Sequence, residues 1–443
     1  MSPPPLRRLL IVSPQFPPLN APDLQRVRMS LPYYRACGWE PIVLCVHDHL
    51  LEGVREPELM LTVPPDIRVV RCGAFSPRWT RWIGLRNLGN RCWLHFLIAG
   101  IGLIRREKID LVFFSNTQFS TFPLGRLWRA FCGVRYVFDV QDPWRTDYYE
   151  RRGSRRPPGG WKYQFARLQA WLLEGWSYRR VSGVMSVSPS YLDDLRARYP
   201  AFHYVPTAVI RFGASREDLV QARAMPPPSH RYVRESNEIH FLYTGASGPV
   251  MPHSLTVLFD GLRLYREQHP ERARRLRFHF LGTSYTAPGQ GVNSVMPVAE
   301  ACGVADQVQE IPHRLGHLEC LRLQLEADVL LLPGSSDLAY SPSKLYPYYL
   351  TGRPSLGIVF RDSVMEGLLD GLNCAFMVRF REHDAKDEAH ARLAKFFDLA
   401  TAGFPPGSLP VRNDAFFNQH YLAESLTREQ CDLFEQALAP RSP

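Results

Sequence analysis

Three groups of polar residues in this 443-residue chain stand where short apolar runs stop, and each suits phosphate or sugar chemistry. The richest follows the run Val329–Leu332. The chain passes Pro333 and Gly334, then Asp337, Tyr340 and Ser341, and reaches Pro342, Ser343 and Lys344. Proline disfavours helix at the residue before it, so a helix is predicted to begin near Ser343. Free amides at a helix start, a serine hydroxyl and a lysine ammonium together make a cradle for a diphosphate. A solvent-exposed lysine at a helix start is the plainer alternative. Two glycine loops, Gly245 to Gly248 and Gly282 with Thr283 and Ser284, also follow apolar runs. Glycine lets a backbone approach a phosphate closely.

The other two groups lie in the first half. Asp139 and Asp142 close the run that begins at Tyr136, where carboxylates are costly unless paired or used. Asp142 is the candidate to orient an acceptor hydroxyl, with Trp144 beside it; a loop cap and a gap-filling ring would serve structure alone. The opening loop from Ser13 to Asp23 carries Asn20 and leads to Arg26. It holds no GxGxxG, which argues against a tightly held dinucleotide. Asp193 and Asp194 read as a solvated helix face, so neither a metal site nor a bound cofactor is expected.

These groups need strands that end at one edge. Strand-like runs are predicted at 9–13, 42–46, 67–71, 111–115, 136–140, 183–187 and 203–205. Helical patterns lie between them at 23–37, 90–106, 121–131, 161–180 and 189–198. The rhythm breaks over 210–238, which contains Pro226, Pro227 and Pro228 and reads as a linker. It restarts with strands at 239–244, 277–281, 308–311, 329–332, 355–359 and 375–378, separated by helices at 253–268, 294–301, 318–325 and 343–350, with a further helix at 388–399. Short apolar strands alternating with helices call for parallel sheets covered on both faces. The expected domains are 1–208, a linker at 209–237, 238–410, and a C-terminal piece at 411–443 whose amphipathic helix packs back on the first domain.

Composition fits this picture. The chain is 45% hydrophobic and 22% charged, as an ordinary globular enzyme is. Nine cysteines without paired spacing point to a reducing compartment. No signal peptide is visible, and the longest apolar stretch, 93–104, is too short to span a bilayer; a cytoplasmic protein is expected. The net charge of +10 is uneven: residues 1–208 hold 29 Arg or Lys against 16 Asp or Glu. That bias suits an anionic partner such as a phospholipid surface or a lipid-linked phosphate. Trp79, Trp82, Trp93 and Phe96, among Arg78, Arg81, Arg86 and Arg91, suggest peripheral contact with an anionic membrane. So does the basic loop of Arg151, Arg152, Arg155 and Arg156. A core helix over 93–104 is the competing reading. Nucleic acid is not an expected partner, since no recognition motif accompanies the basic residues.

Taken in order, these segments resemble the GT-B glycosyltransferases, the family-4 retaining type in particular. The similarity rests on Ser13 to Pro18 with Arg26, Arg35 to Leu44, Phe138 to Trp144, Ser186 to Ser188, Tyr243 to Gly245, Phe280 to Gly282, Ala327 to Pro333, and Pro342 to Tyr346 with Gly352 to Pro354. The resemblance implies an α/β fold of two Rossmann-like lobes around a cleft, with a C-terminal crossover helix. It implies a nucleotide-sugar donor on the second lobe, touching Gly245, Gly282, Thr283, Ser284, Asp337, Tyr340, Ser341, Ser343 and Lys344. The glycan or lipid-linked acceptor then lies by Asn20, Arg26, Asp142 and Trp144 on the first lobe, and transfer retains configuration without metal. The family's paired glutamates are replaced by Ala339 and Pro347. The alternative is a GT-B-like protein that binds nucleotide or glycan without turnover.

Overall fold

The computed structural model describes residues 6–80, 85–145, 161–228, 237–247, 251–284, 286, 291–338, 340–381 and 386–440, with the backbone alone for Trp79, Trp161 and Lys162. It divides into two compact units, Met1–Phe212 with Ala423–Pro443, and Gly213–Leu422.

The first unit is built on seven parallel strands: β1 (Arg7–Val12), β2 (Trp39–Val46), β3 (Arg68–Cys72), β4 (Leu111–Ser115), β5 (Arg135–Val140), β6 (Gly183–Ser186) and β7 (Thr207–Val209). Their order is β3-β2-β1-β4-β5-β6-β7. Successive side chains of a strand point to opposite faces, and the core divides accordingly. Leu10 and Val12 join Leu44, Phe114 and Phe138 on one face. Leu9 and Ile11 join Val43, Phe113 and Val137 on the other. The first face is covered by helices that include Leu88–Arg106 and Pro123–Cys132. These two approach so closely that a Cβ on Gly100 would lie 2.2 Å from the Trp128 ring. The second face receives the last helix, Ala423–Leu438. Its Phe434 packs against Trp39, ring centroids 5.5 Å apart, and Phe113, at 5.0 Å.

The second unit holds six parallel strands: β8 (Ile239–Thr244), β9 (Leu276–Leu281), β10 (Val308–Ile311), β11 (Val329–Pro333), β12 (Ser355–Phe360) and β13 (Phe376–Phe380). Their order is β10-β9-β8-β11-β12-β13. Phe241, Tyr243, Phe278 and Phe280 turn to one face and meet Leu258, Phe396 and Phe397 of the helices Pro252–Gln268 and Asp387–Thr401. Thr244 turns to the other, where Gln324 donates to its hydroxyl at 2.8 Å and its own amide donates to the Tyr348 hydroxyl at 2.8 Å.

Three local expectations are corrected. Residues 203–205 belong to a 3-10 helix, Pro200–Tyr204, and the strand comes later, at Thr207–Val209, because Pro200 favours a helical start. The helix expected over 23–37 is broken: Gln25–Ser30 is α-helical, flanked by 3-10 turns at Pro22–Leu24 and Arg35–Cys37. The linker contains a helix, Arg216–Ala224, capped by the Ser215 hydroxyl. Its Asp218 pairs with His317 at 2.8 Å, which ties this stretch to the second unit.

Candidate functional site

In open α/β sheets, ligands bind beyond the carboxyl ends of the strands where the strand order reverses. The second unit reverses between β8 and β11, which pair directly. The loops after β8 and β9 extend the sheet edge: the Gly245 amide donates to the Leu281 carbonyl at 2.8 Å, and the Ser247 amide to the Thr283 carbonyl at 3.0 Å. Gly245 has φ +115 and Gly282 φ +74, a region that glycine enters without Cβ strain.

Lys344 comes to this point on the segment that follows β11. The helix starts at Leu345, two residues later than the start expected at Ser343, and runs seven residues to Thr351, with Lys344 at its N-cap. Ser341 and Ser343 are exposed before it. The half-buried Lys344 side chain folds over Gly245, whose missing Cβ would lie 2.4 Å from Lys344 Cε. Its Nζ donates to the Tyr243 hydroxyl and, at 3.0 Å, to the Ala246 carbonyl. Both acceptors are neutral. Desolvation draws the ammonium down from 10.5 to about 7, the response of a buried cation without a counter-charge. Among the described residues no carboxylate pairs with it, so an anion placed here would supply the counter-charge that keeps the amine protonated.

The neighbouring candidates are arranged differently. The Thr283 hydroxyl donates to Glu310 at 2.5 Å, and the same carboxylate accepts the amides of Ser294 at 3.0 Å and Val295 and Met296 at 2.9 Å. Glu310 therefore fixes this loop edge, and Thr283 reaches a ligand only through its backbone. Ser284 bonds Thr286 at 2.6 Å. Asp337 is exposed on the loop after β11 and its carbonyl accepts from the Tyr340 amide at 3.0 Å, while the Tyr340 ring rests on the core. Gly248 and Ala339 lie outside the described residues.

The first unit reverses between β1 and β4. Arg26 was expected to face an acceptor; it is turned inward instead. Its Nε lies 2.9 Å from the fully buried Asp139, and its Nη2 donates to the Ile210 carbonyl at 2.7 Å. Asp139 also accepts from Ser115 at 2.7 Å and Gln141 at 2.9 Å. Asn20 is likewise engaged, donating to Glu56 at 2.9 Å. Arg26 ties the first helix to the sheet, and Asn20 ties the opening loop to the loop after β2. Asp142 is exposed just beyond β5, with desolvation raising its carboxyl above the ordinary value. Trp144 stacks on Phe119, centroids 5.8 Å apart, and forms part of a cavity of about 920 Å³ with Thr117, Arg145 and Arg198.

Asp23 was not singled out in the sequence. It is buried at the switch point, where Thr117 donates its hydroxyl at 3.2 Å. The Gln15 amide, with its nitrogen facing the carboxylate, donates at 2.6 and 3.1 Å. Burial raises Asp23 from 3.8 to about 6, and the nearby Asp142 adds to the rise. An acid following a proline at a helix start looks like an ordinary cap; only the convergence of three loops distinguishes it.

The residues expected at a membrane divide. Phe96 and Arg91 are buried, Arg91 donating to the carbonyls of Phe75 at 2.7 Å and Leu50 at 3.0 Å. Trp93 packs against the same core, so 93–104 is a core helix. Arg81, Trp82, Arg151, Arg152, Arg155 and Arg156 lie outside the described residues, as does the Trp79 side chain. Among the described residues no helix is long and apolar enough to cross a membrane. Among them, too, no three His, Cys, Asp or Glu side chains converge as metal ligands would.

The model of a glycosyl transferase 4-like domain matches residues 25–213. No curated protein sequence matches the chain. Solved structures do. A glycosyltransferase from Rickettsia africae aligns with a TM-score of 0.56 at 11% identity, covering 98% of this chain and 99% of that one. HepE of Anabaena, solved with UDP-glucose, gives 0.56 at 14% identity over 97% and 99%. WaaG, a glycosyltransferase involved in lipopolysaccharide biosynthesis, gives 0.55 at 13% identity over 96% and 99%. At such identities the shared feature is the fold, two parallel sheets of the GT-B kind. The chain thus has the GT-B fold from end to end, and its residues 25–213 are similar to a glycosyl transferase 4-like domain.

Proposed function

We propose that the enzyme transfers sugar from a nucleotide-sugar donor to a hydroxyl acceptor, with retention and without a metal. The observation that carries this reading is the Lys344 ammonium, drawn over Gly245 at the β8/β11 switch point with neutral oxygens as partners. A diphosphate there would supply the missing counter-charge, and the lysine would stabilise it as it leaves. HepE, with the same fold, was solved with UDP-glucose, which supports a UDP-sugar as the first donor to try. Asp142, exposed at the end of β5, orients the acceptor hydroxyl. The acceptor is a cell-surface glycan or glycolipid precursor, and the enzyme works at the cytoplasmic face of a membrane.

A thermal-shift panel of UDP-, GDP-, ADP- and CMP-sugars tests the reading, because a ligand that binds only the folded state raises the melting temperature. One nucleotide series should stabilise the native protein, and the shift should vanish in Lys344→Ala. A full shift in that variant, or no shift with any donor, would overturn the proposal.

A further inference from the structure

The helix Trp161–Tyr178 in the first unit carries its polarity inside out. Ala170, Glu174 and Ser177 face the protein and are buried. Phe165, Leu168, Trp171 and Leu172 face solvent, at 41%, 53%, 60% and 54% exposure. Their spacing places them along one stripe, and a contiguous exposed apolar stripe marks an interaction surface. The stripe runs into the cavity of about 920 Å³, which Phe165, Leu168 and Trp171 line together with Thr117, Ser120 and Trp144. That volume suits a ligand of ordinary small-molecule size.

The charged lining is Arg145, Arg167 and Arg198 against Asp194. Two of these guanidiniums are set in place by Glu174, which lies 2.6 Å from Arg198 and 3.9 Å from Arg145 and accepts the Tyr199 hydroxyl at 2.7 Å. Thr117, in the same lining, bonds Asp23, whose carboxyl feels that of Asp142. One cavity thus has a basic, hydrogen-bonding part near the candidate acceptor carboxylate and an apolar wall continuing onto the open helix. A purely hydrophilic glycan has no use for four exposed apolar side chains, and a purely apolar ligand none for three arginines.

We propose that the acceptor is a single-chain amphiphile, a sugar carried on a lipid phosphate. Its phosphate-type head sits among Arg145, Arg167 and Arg198, and its apolar chain lies along Phe165, Leu168, Trp171 and Leu172. This rests on the sugar-transfer reading and names the acceptor class for it.

The test is calorimetric titration of the full chain with a farnesyl-length prenyl monophosphate below its micellar concentration. The comparison ligands are the prenyl alcohol, inorganic phosphate and vesicles of phosphatidylglycerol. The prenyl phosphate should saturate and bind at least tenfold tighter than the alcohol, with inorganic phosphate weaker still. The exposed double variant Leu168→Ser with Trp171→Ser should lose at least tenfold while its nucleotide-sugar thermal shift and melting temperature stay native. Unchanged affinity in the double variant overturns the proposal. So does vesicle binding without prenyl phosphate binding, which makes the stripe a membrane face, or a dimer that the double variant dissociates. Because the thermal shift with nucleotide-sugar is read in the same samples, loss of the donor reading is seen separately from loss of the lipid reading.

Discussion

Replacing Lys344 by methionine should make the empty protein more stable and the donor site worse. Methionine keeps an unbranched apolar stem over Gly245 and discards the charge. In the native fold the Lys344 pKa is drawn from 10.5 to about 7, a difference equivalent to about 5 kcal/mol if fully realised. The side chain is half-buried and retains two hydrogen bonds, so solvent screening reduces this to about 1–2 kcal/mol. The sign follows from proton binding: between about pH 7 and 10.5 the unfolded chain holds a proton that the folded chain has released. Stability therefore rises with pH through that window, and the cost of burying the charge is felt below it. Lys344→Met should raise the unfolding free energy measured in urea at pH 6.5 by about 1–2 kcal/mol and leave it near native at pH 10.5. Donor binding should move the opposite way, losing about 2–4 kcal/mol as a charge-assisted contact to phosphate disappears. Native affinity for the nucleoside diphosphate should also decline above pH 7, since binding then demands proton uptake, and the variant should lack that slope. Calorimetry at pH 6.5, 7.5 and 8.5 reads both effects. A variant that binds within threefold of native, or is destabilised at pH 6.5, would refute the assignment of Lys344 as a charge held ready for phosphate.

Three further outcomes follow from the geometry. Arg26→Met strands the fully buried Asp139 carboxylate and should cost about 3–5 kcal/mol in urea unfolding, with partial recovery when Asp139→Leu is added; a change below 1 kcal/mol would mean the pair is not buried in solution. Asp23 has a folded pKa of about 6 against 3.8, so native stability should fall as pH rises through that interval; Asp23→Asn should add up to about 3 kcal/mol at pH 7 and nothing at pH 3.5, as melting curves at both pH values would record. Phe434→Ala empties a fully buried site among Tyr34, Trp39 and Phe113 and should cost about 3–5 kcal/mol; hydrogen exchange should then rise first in the helix Ala423–Leu438.

Much of the fold was legible from the chain because buried parallel strands are short, apolar and separated by helices. Runs such as Leu111–Ser115, Ile239–Thr244 and Val308–Ile311 coincide with their strands to the residue. The breaks were harder. Thr207–Val209 lacks a long apolar run and is a strand only because β6 pairs with it. The helix Arg216–Ala224 hid in a charged, proline-bounded stretch because the partner that stabilises it, His317, is remote in sequence.

The candidate site shows the same division. Local chemistry in the sequence was enough to single out Lys344, Gly245, Gly282 and Asp142 as candidates, since each follows an apolar run and so stands at a strand end, where ligands bind in an open α/β sheet. What they touch was decided by packing across the chain. Asp139 and Arg26, 113 positions apart, neutralise each other in the core because a charge buried there must be paired. Thr283 was claimed by Glu310, and Asp23 acquired its raised pKa only when the loops after β1, β4 and β5 closed around it. Sequence spacing records which groups stand at strand ends; strand order decides which of those ends meet, and burial then decides which charges are consumed by the fold and which are left for a ligand.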